Sequence, residues 1–117
     1  MRKKIPQYSD AVIRFEDLHY NVVPTGIDLT EIDTFICSVA KSRVNASGVN
    51  LVQIEYPASS GRFTINNEDK FVDVQFLSTE IGEDTGCYYT NLWLVKNGVY
   101  MTHVVKEFEI VQAVTYA

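Results

Sequence analysis

Phe71-Val72-Asp73-Val74-Gln75-Phe76, followed after a short linker by Tyr88-Tyr89-Thr90-Asn91-Leu92-Trp93-Leu94 and then Asn97-Gly98, decides the fold. In the first run Val72, Val74 and Phe76 alternate with Asp73 and Gln75, the period-2 pattern of a half-buried strand. In the second, Tyr88, Thr90, Leu92 and Leu94 alternate with Tyr89, Asn91 and Trp93. Asn97-Gly98 is the residue pair favoured by a two-residue type I′ hairpin turn, because both central positions need φ > 0. The run from Met101 to Ile110 returns from that turn, ending in Phe108 and Ile110 with Glu107 and Glu109 in the other phase. The parity predicts a core face through Val74, Phe76, Tyr88, Leu92, Phe108 and Ile110, and an opposite face carrying Tyr89 and Trp93.

Working outward, the rest of the chain repeats the theme. Asp10–Phe15 reads as a first strand with Val12 or Ile13 inward, and Leu18–Val23 as a second, stopped at Pro24-Thr25-Gly26. In Ile27–Asp33, Asp28 and Thr30 suit local backbone donors while Leu29 and Ile32 point into the domain. Thr34–Lys41 is a strand with Phe35, Cys37 and Val39 on one face. Ser42–Asn50 is a polar loop. Leu51–Tyr56 and Arg62–Ile65 are further strands, separated by Pro57 and Ser59-Ser60-Gly61. Ser78–Asp84 is the single helical turn predicted, with Ser78 or Thr79 as N-cap and Gly82 as terminator. Short strands at regular spacing predict an all-β antiparallel sandwich or barrel over residues 10–117, preceded by a basic arm over residues 1–9.

Length and composition set the class. The chain has 117 residues, 46% hydrophobic and 12% aromatic, enough for one core without metal or disulfide staples. No apolar run approaches the ~20 residues that span a bilayer, and the start lacks the apolar stretch of a signal peptide, so a cytoplasmic synthesis is expected. The net charge is −5, with Arg2, Lys3 and Lys4 set against an acidic remainder. An acidic body repels phosphates, which argues against nucleic acid as partner.

Cys37 and Cys87 fall near where an immunoglobulin sandwich bridges its sheets, but no Trp lies between them. Thr85 stands two residues before Cys87, so the tyrosine corner is expected to be absent. Cys37 is in the inward phase and Cys87 in the outward one. Two unbridged thiols are expected.

A catalytic constellation is not found. His19 and His103 lie far apart with no neighbour at metal-ligand spacing. Ser59-Ser60-Gly61 lacks the nucleophile-elbow pattern, and Gly82–Gly86 is too short and acidic to cradle phosphate. The pairs Glu16-Asp17, Glu68-Asp69 and Glu83-Asp84 read as solvated turn residues, since adjacent carboxylates on a strand face opposite ways. No enzymatic activity, cofactor or metal is expected. The outward aromatics Tyr89 and Trp93 are either a contact surface or covered within the subunit.

Ile27-Asp28-Leu29-Thr30, Gly86–Leu94, Asn97-Gly98 and Lys106-Glu107-Phe108-Glu109-Ile110, in this order, resemble the small immunoglobulin-like N-terminal domain of phage baseplate upper proteins and related tail and fibre proteins. The resemblance covers the chain from Val12 onward. It departs from that pattern at Glu16-Asp17-Leu18-His19, in place of an Arg-Gly-Asp type of turn, and at Asn91, in place of an acidic residue. It implies an all-β, single antiparallel immunoglobulin-like sandwich over residues 10–117, serving as a virion structural protein made in the host cytoplasm, forming homo-oligomers and contacting other virion proteins; the lack of a long apolar run adds the expectation of no membrane partner. The expected contact residues are Tyr89, Trp93 and Tyr100, with Arg2, Lys3 and Lys4 as a docking arm. Two other classes compete. One is a carbohydrate-binding or adhesin-type module stacking glycans on Tyr89 and Trp93 beside Asn91. The other is a small intracellular regulator of a host protein.

Overall fold

The Asn97-Gly98 pair turns the chain as its composition requires, with φ of 51° and 77°. It joins the two longest strands of the molecule, Gly86–Lys96 and Val99–Val111. The structure, a computed structural model, describes residues 3–16, 18, 28–41, 50–81 and 84–112. In chain order the strands are β1 (Lys3–Pro6), β2 (Ala11–Phe15), β3 (Thr34–Ala40), β4 (Asn50–Tyr56), β5 (Phe63–Asn66), β6 (Phe71–Phe76), β7 (Gly86–Lys96) and β8 (Val99–Val111). One helical turn, α1, spans Ser78–Ile81. Short 3-10 turns at Leu29–Glu31 and Ser60–Arg62 were not anticipated as helical.

The strands form two sheets, β1-β8-β7-β3-β4 and β2-β6-β5. This is the strand order of an immunoglobulin-like sandwich of variable type, in which a fourth antiparallel strand extends the sheet built on the last hairpin. All pairings are antiparallel except β1 on β8, which is parallel, from Lys3 beside Phe108 to Pro6 beside Val111. The expected antiparallel sandwich is thus present, with one parallel pairing at its edge. The expected boundary after residue 9 does not hold, because Lys3–Pro6 pairs into the sheet and Ile5 is buried.

The alternation holds where it was clearest. Ile13, Phe15, Phe35, Cys37, Val39, Val72, Val74, Phe76, Tyr88, Leu92, Leu94, Phe108 and Ile110 are all buried in one core. Ile13, not Val12, is the inward member of its pair: Val12 is 45% exposed. Removing each such side chain from water is worth about 1.5–3 kcal/mol, so the core dominates stability. Leu18 is buried, while the remainder of the expected Leu18–Val23 strand lies outside the described residues, as do the 42–49 loop and Gly82.

Local chemistry closes the ends. Asp28 Oδ1 accepts from the Thr30 amide at 3.1 Å and its hydroxyl at 2.6 Å, which turns the chain so that Leu29 and Ile32 face the core. Helix α1 begins one residue earlier than expected in capping terms. Glu80 Oε1 accepts from the Leu77 amide at 2.8 Å, the backward half of a capping box, and Asp10 accepts from the Ser78 amide at 2.9 Å. Arg62 holds Glu80 in turn and keeps its carboxyl below the usual carboxylate range.

The tyrosine corner, expected to be absent, is present on another residue. The buried Tyr88 donates its hydroxyl to the Asp84 carbonyl at 2.6 Å, and its ring stacks on Phe108 at 5.5 Å. The reason is phase: a corner tyrosine must point inward, and Cys87 is on the outward parity, so the corner is keyed to Thr90. Thr90 is fully buried and lies 3.6 Å from Cys37 Sγ. Cys37 and Cys87 are unbridged, the first buried and the second exposed, on neighbouring strands of one sheet.

Candidate functional site

Strand β7 builds the site by alternation alone. With Tyr88, Thr90, Leu92 and Leu94 committed to the core, Tyr89, Asn91 and Trp93 stand on the outer face of the five-stranded sheet. Register then sets their neighbours. Trp93 lies between Ile36 on β3 and His103 on β8, Asn91 between Ser38 and Val105, and Tyr89 between Ala40 and Glu107.

A shift of register between Leu94 and Val95 decides which β8 residue meets Trp93. Counted straight from the turn, the partner would be Thr102. The bulge inserts one residue, so Thr102 turns inward and is buried while His103 comes out beside the indole. The two rings stack in parallel, centroids 3.9 Å apart and 10° between planes, and Tyr100 meets Trp93 edge-on at 5.3 Å. Asn91 Oδ1 sits 3.0 Å from His103 Nε2. Partial burial against the indole pushes the His103 pKa below its ordinary value of 6.5.

The floor of this face is made of small side chains, Ser38 and Ala40, both buried with Asn91. Around it stand half-exposed Tyr89 and Trp93, with Tyr100 58% exposed at the hairpin end and Val105 37% exposed on β8. A low floor ringed by aromatics and a valine can exclude water over a flat area. Its polar side chains among the described residues include Ser38, Asn91 and His103, the last two engaged with each other. Among the described residues no set of three or more His, Cys, Asp or Glu side chains is placed to hold a metal, and no helix is long and apolar enough to cross a membrane.

Of the expected contact residues, the structure brings Trp93 and Tyr100 into direct contact. Tyr89 shares their face, four residues from Trp93 along β7, roughly 13 Å at the rise of a strand. Lys4 lies opposite Glu109 at the rim of the same sheet. Lys3 turns toward the mouth between the sheets, where its Nζ donates to the Val12 carbonyl at 2.8 Å. Lys3 and Lys4 are thus strand residues of the sandwich, not a detached arm, and Arg2 lies outside the described residues. His103 and Val105 were missed, since only the register reveals that they adjoin Trp93 and Asn91.

A cleft of about 170 Å³ between the sheets is lined by Lys3, Ile13, Arg14, Lys106 and Glu107. Its cations are engaged: Arg14 with both oxygens of Asp73 at 2.8 and 3.0 Å, Lys106 with Glu16 at 3.8 Å, and Lys3 as above. An open depression of about 550 Å³ lies at the far end of the β7–β8 pair, beside Gln7, Gly86, Glu109 and Val111.

No family model and no curated protein matches the chain. Among solved structures it is similar to one described as the three-dimensional structure of the NK cell receptor Nkp44, a triggering partner in natural cytotoxicity. The identity is 17%, over 97% of this chain and 99% of that one, with a TM-score of 0.48. The immunoglobulin-like assignment rests on strand order and the tyrosine corner, independently of this likeness.

Proposed function

We propose that the chain is a non-enzymatic structural module of a phage virion, a sandwich that associates with itself and with other virion proteins through the outer face of its five-stranded sheet. One observation carries the contact surface: Trp93, Tyr100 and His103 pack into a single aromatic cluster beside Ile36, Ser38, Ala40 and Val105, with Gln53, Glu55 and Glu107 toward the edges of the face. Tryptophan and tyrosine in such settings are the residues that anchor protein interfaces. The virion setting is supported by the resemblance of Ile27–Thr30, Gly86–Leu94 and Lys106–Ile110 to baseplate and tail domains.

A glycan-binding use of the same residues is less well supported. Stacking a sugar needs a flat ring face turned to solvent, and His103 already occupies one face of Trp93. The test is light scattering on the purified chain across a concentration series, with Trp93→Ala as the variant. Loss of a buried aromatic anchor of this kind costs at least about 2 kcal/mol, a ~30-fold weakening. Association left unchanged by Trp93→Ala removes the aromatic cluster from the contact. Binding on a glycan array that Trp93→Ala abolishes would favour the carbohydrate reading instead.

A further inference from the structure

Strand β1 is a short piece held by a single buried side chain. Lys3–Pro6 lies parallel on β8 and buries Ile5, while Lys3, Lys4 and Pro6 stay exposed. The Lys3 ammonium donates to the Val12 carbonyl at 2.8 Å, and just past the strand the Gln7 amide donates to the Val111 carbonyl at 2.9 Å. The chain must then leave the five-stranded sheet, because β2 belongs to the other one. It has residues 7–10 in which to cross, between sheets that stack about 10 Å apart in a sandwich.

That crossing is clamped at both ends. Gln7 is tied to β8, and the Asp10 carboxylate accepts from the Ser78 amide at 2.9 Å. Between the clamps Tyr8 takes a φ of 64°, the left-handed region that turns give to glycine or asparagine. Its ring gains no packing in exchange, since it is 64% exposed, more than any other large apolar side chain among the described residues. A bulky residue held there stores backbone strain, and strain of this kind gathers at segments that switch between two arrangements.

We propose that two copies of the chain exchange β1, the Lys3–Pro6 strand of each lying on β8 of the other. The occupant's fit is already on view, because the seat beside β8 and Val12 takes this same strand, with Ile5 in the core. Exchange keeps the parallel pairing, the burial of Ile5 and the bonds of Lys3 and Gln7. What changes is the crossing, which opens into an extended connection, frees Tyr8 from its left-handed turn and brings the two Tyr8 rings together at the two-fold axis. Short hinges under strain are the ones that favour exchange over closure. The dimer is closed, and it is independent of the outer-face contact, since Trp93, Tyr100 and His103 take no part in it.

Lys4 and Glu109 are neighbours across the β1–β8 pairing, so a cysteine at each reports whose strand lies on whose β8. The test protein is the full chain with Lys4→Cys and Glu109→Cys, made with Cys87→Ser because Cys87 lies beside Glu109. It is warmed below its melting temperature at about 1 μM to about 1 mM, a span that covers weak self-association. It is then diluted, oxidised at once so that chance collisions do not link chains, and run on a denaturing, non-reducing gel. Exchange yields chains linked in pairs, in a share that rises with the concentration of the warm step. Adding Tyr8→Gly, which accepts the left-handed turn, relieves the closed form; at roughly tenfold per left-handed residue, the two hinges raise the concentration needed by about 100-fold. Thermal unfolding checks that each variant folds. Cross-links confined within single chains at every concentration overturn the proposal, and so does pairing that Tyr8→Gly leaves unchanged. If light scattering in those cases still shows growth in mass that Trp93→Ala removes, the outer-face reading stands while strand exchange falls.

Discussion

Replacing Tyr88 by Phe isolates the one hydrogen bond that ties the start of β7 to the preceding corner. The ring stays, buried and stacked on Phe108, and only the hydroxyl that donates to the Asp84 carbonyl is removed. A neutral hydrogen bond contributes about 0.5–1.5 kcal/mol net. The abandoned carbonyl belongs to exposed Asp84, where water can replace the lost donor, so the cost falls near 1 kcal/mol rather than at the full penalty of an orphaned buried group. With an unfolding entropy of about 2.1 cal/mol/K per residue, that lowers the melting temperature of a chain this size by about 4 °C. Tyr88→Ala, which also deletes the ring, should cost about 3–5 kcal/mol. Calorimetry of the three proteins measures both steps. A Tyr88→Phe protein melting within about 1 °C of wild type would show that the corner bond contributes nothing, against the usual worth of a partly buried bond. A drop as large as that of Tyr88→Ala would show that the hydroxyl, not the packing, anchors the corner.

Two further outcomes follow from the chemistry of the sheet. Burial pushes the Cys37 thiol up to about 12, so a thiol reagent at neutral pH should label exposed Cys87 promptly and Cys37 only after unfolding; prompt labelling of both would contradict the buried placement. Burial lowers the pKa of His103, so the folded state binds its proton less readily than the unfolded state. The stability it contributes is complete above its ordinary value of 6.5 and is lost as pH falls through the lower folded midpoint. An NMR titration of the imidazole should place that midpoint below 6.5, and Trp93→Ala should move it up by opening the ring to water; a wild-type midpoint at or above 6.5 would contradict the stacked geometry.

What the sequence made legible was whatever period-2 alternation and turn chemistry determine. Val72, Val74, Phe76, Tyr88, Leu92, Phe108 and Ile110 were assigned inward from parity and are buried, and Asn97-Gly98 was assigned as the hairpin turn it forms. Hidden features depend on long-range pairing or on a single inserted residue. The bulge beside Val95 leaves no mark in composition, yet it decides that His103, not Thr102, stacks on Trp93. The parallel docking of Lys3–Pro6 on β8 joins residues at opposite ends of the chain, and a short basic start looks like a frayed arm until that partner is known. The corner tyrosine was sought relative to Cys87 because that cysteine invites comparison with a bridging one. Its outward phase already pointed to Tyr88 and Thr90 instead.

Trp93 is the single tryptophan of the chain, so its fluorescence reports the proposed contact surface directly. Emission recorded across a dilution series, with acrylamide quenching at each step, measures whether water reaches the indole as copies associate. If the outer face is the contact, the emission shifts to the blue and quenching falls as light scattering shows mass increasing. Growth in mass with Trp93 emission and quenching unchanged would contradict it, because the association would then leave the aromatic cluster in water.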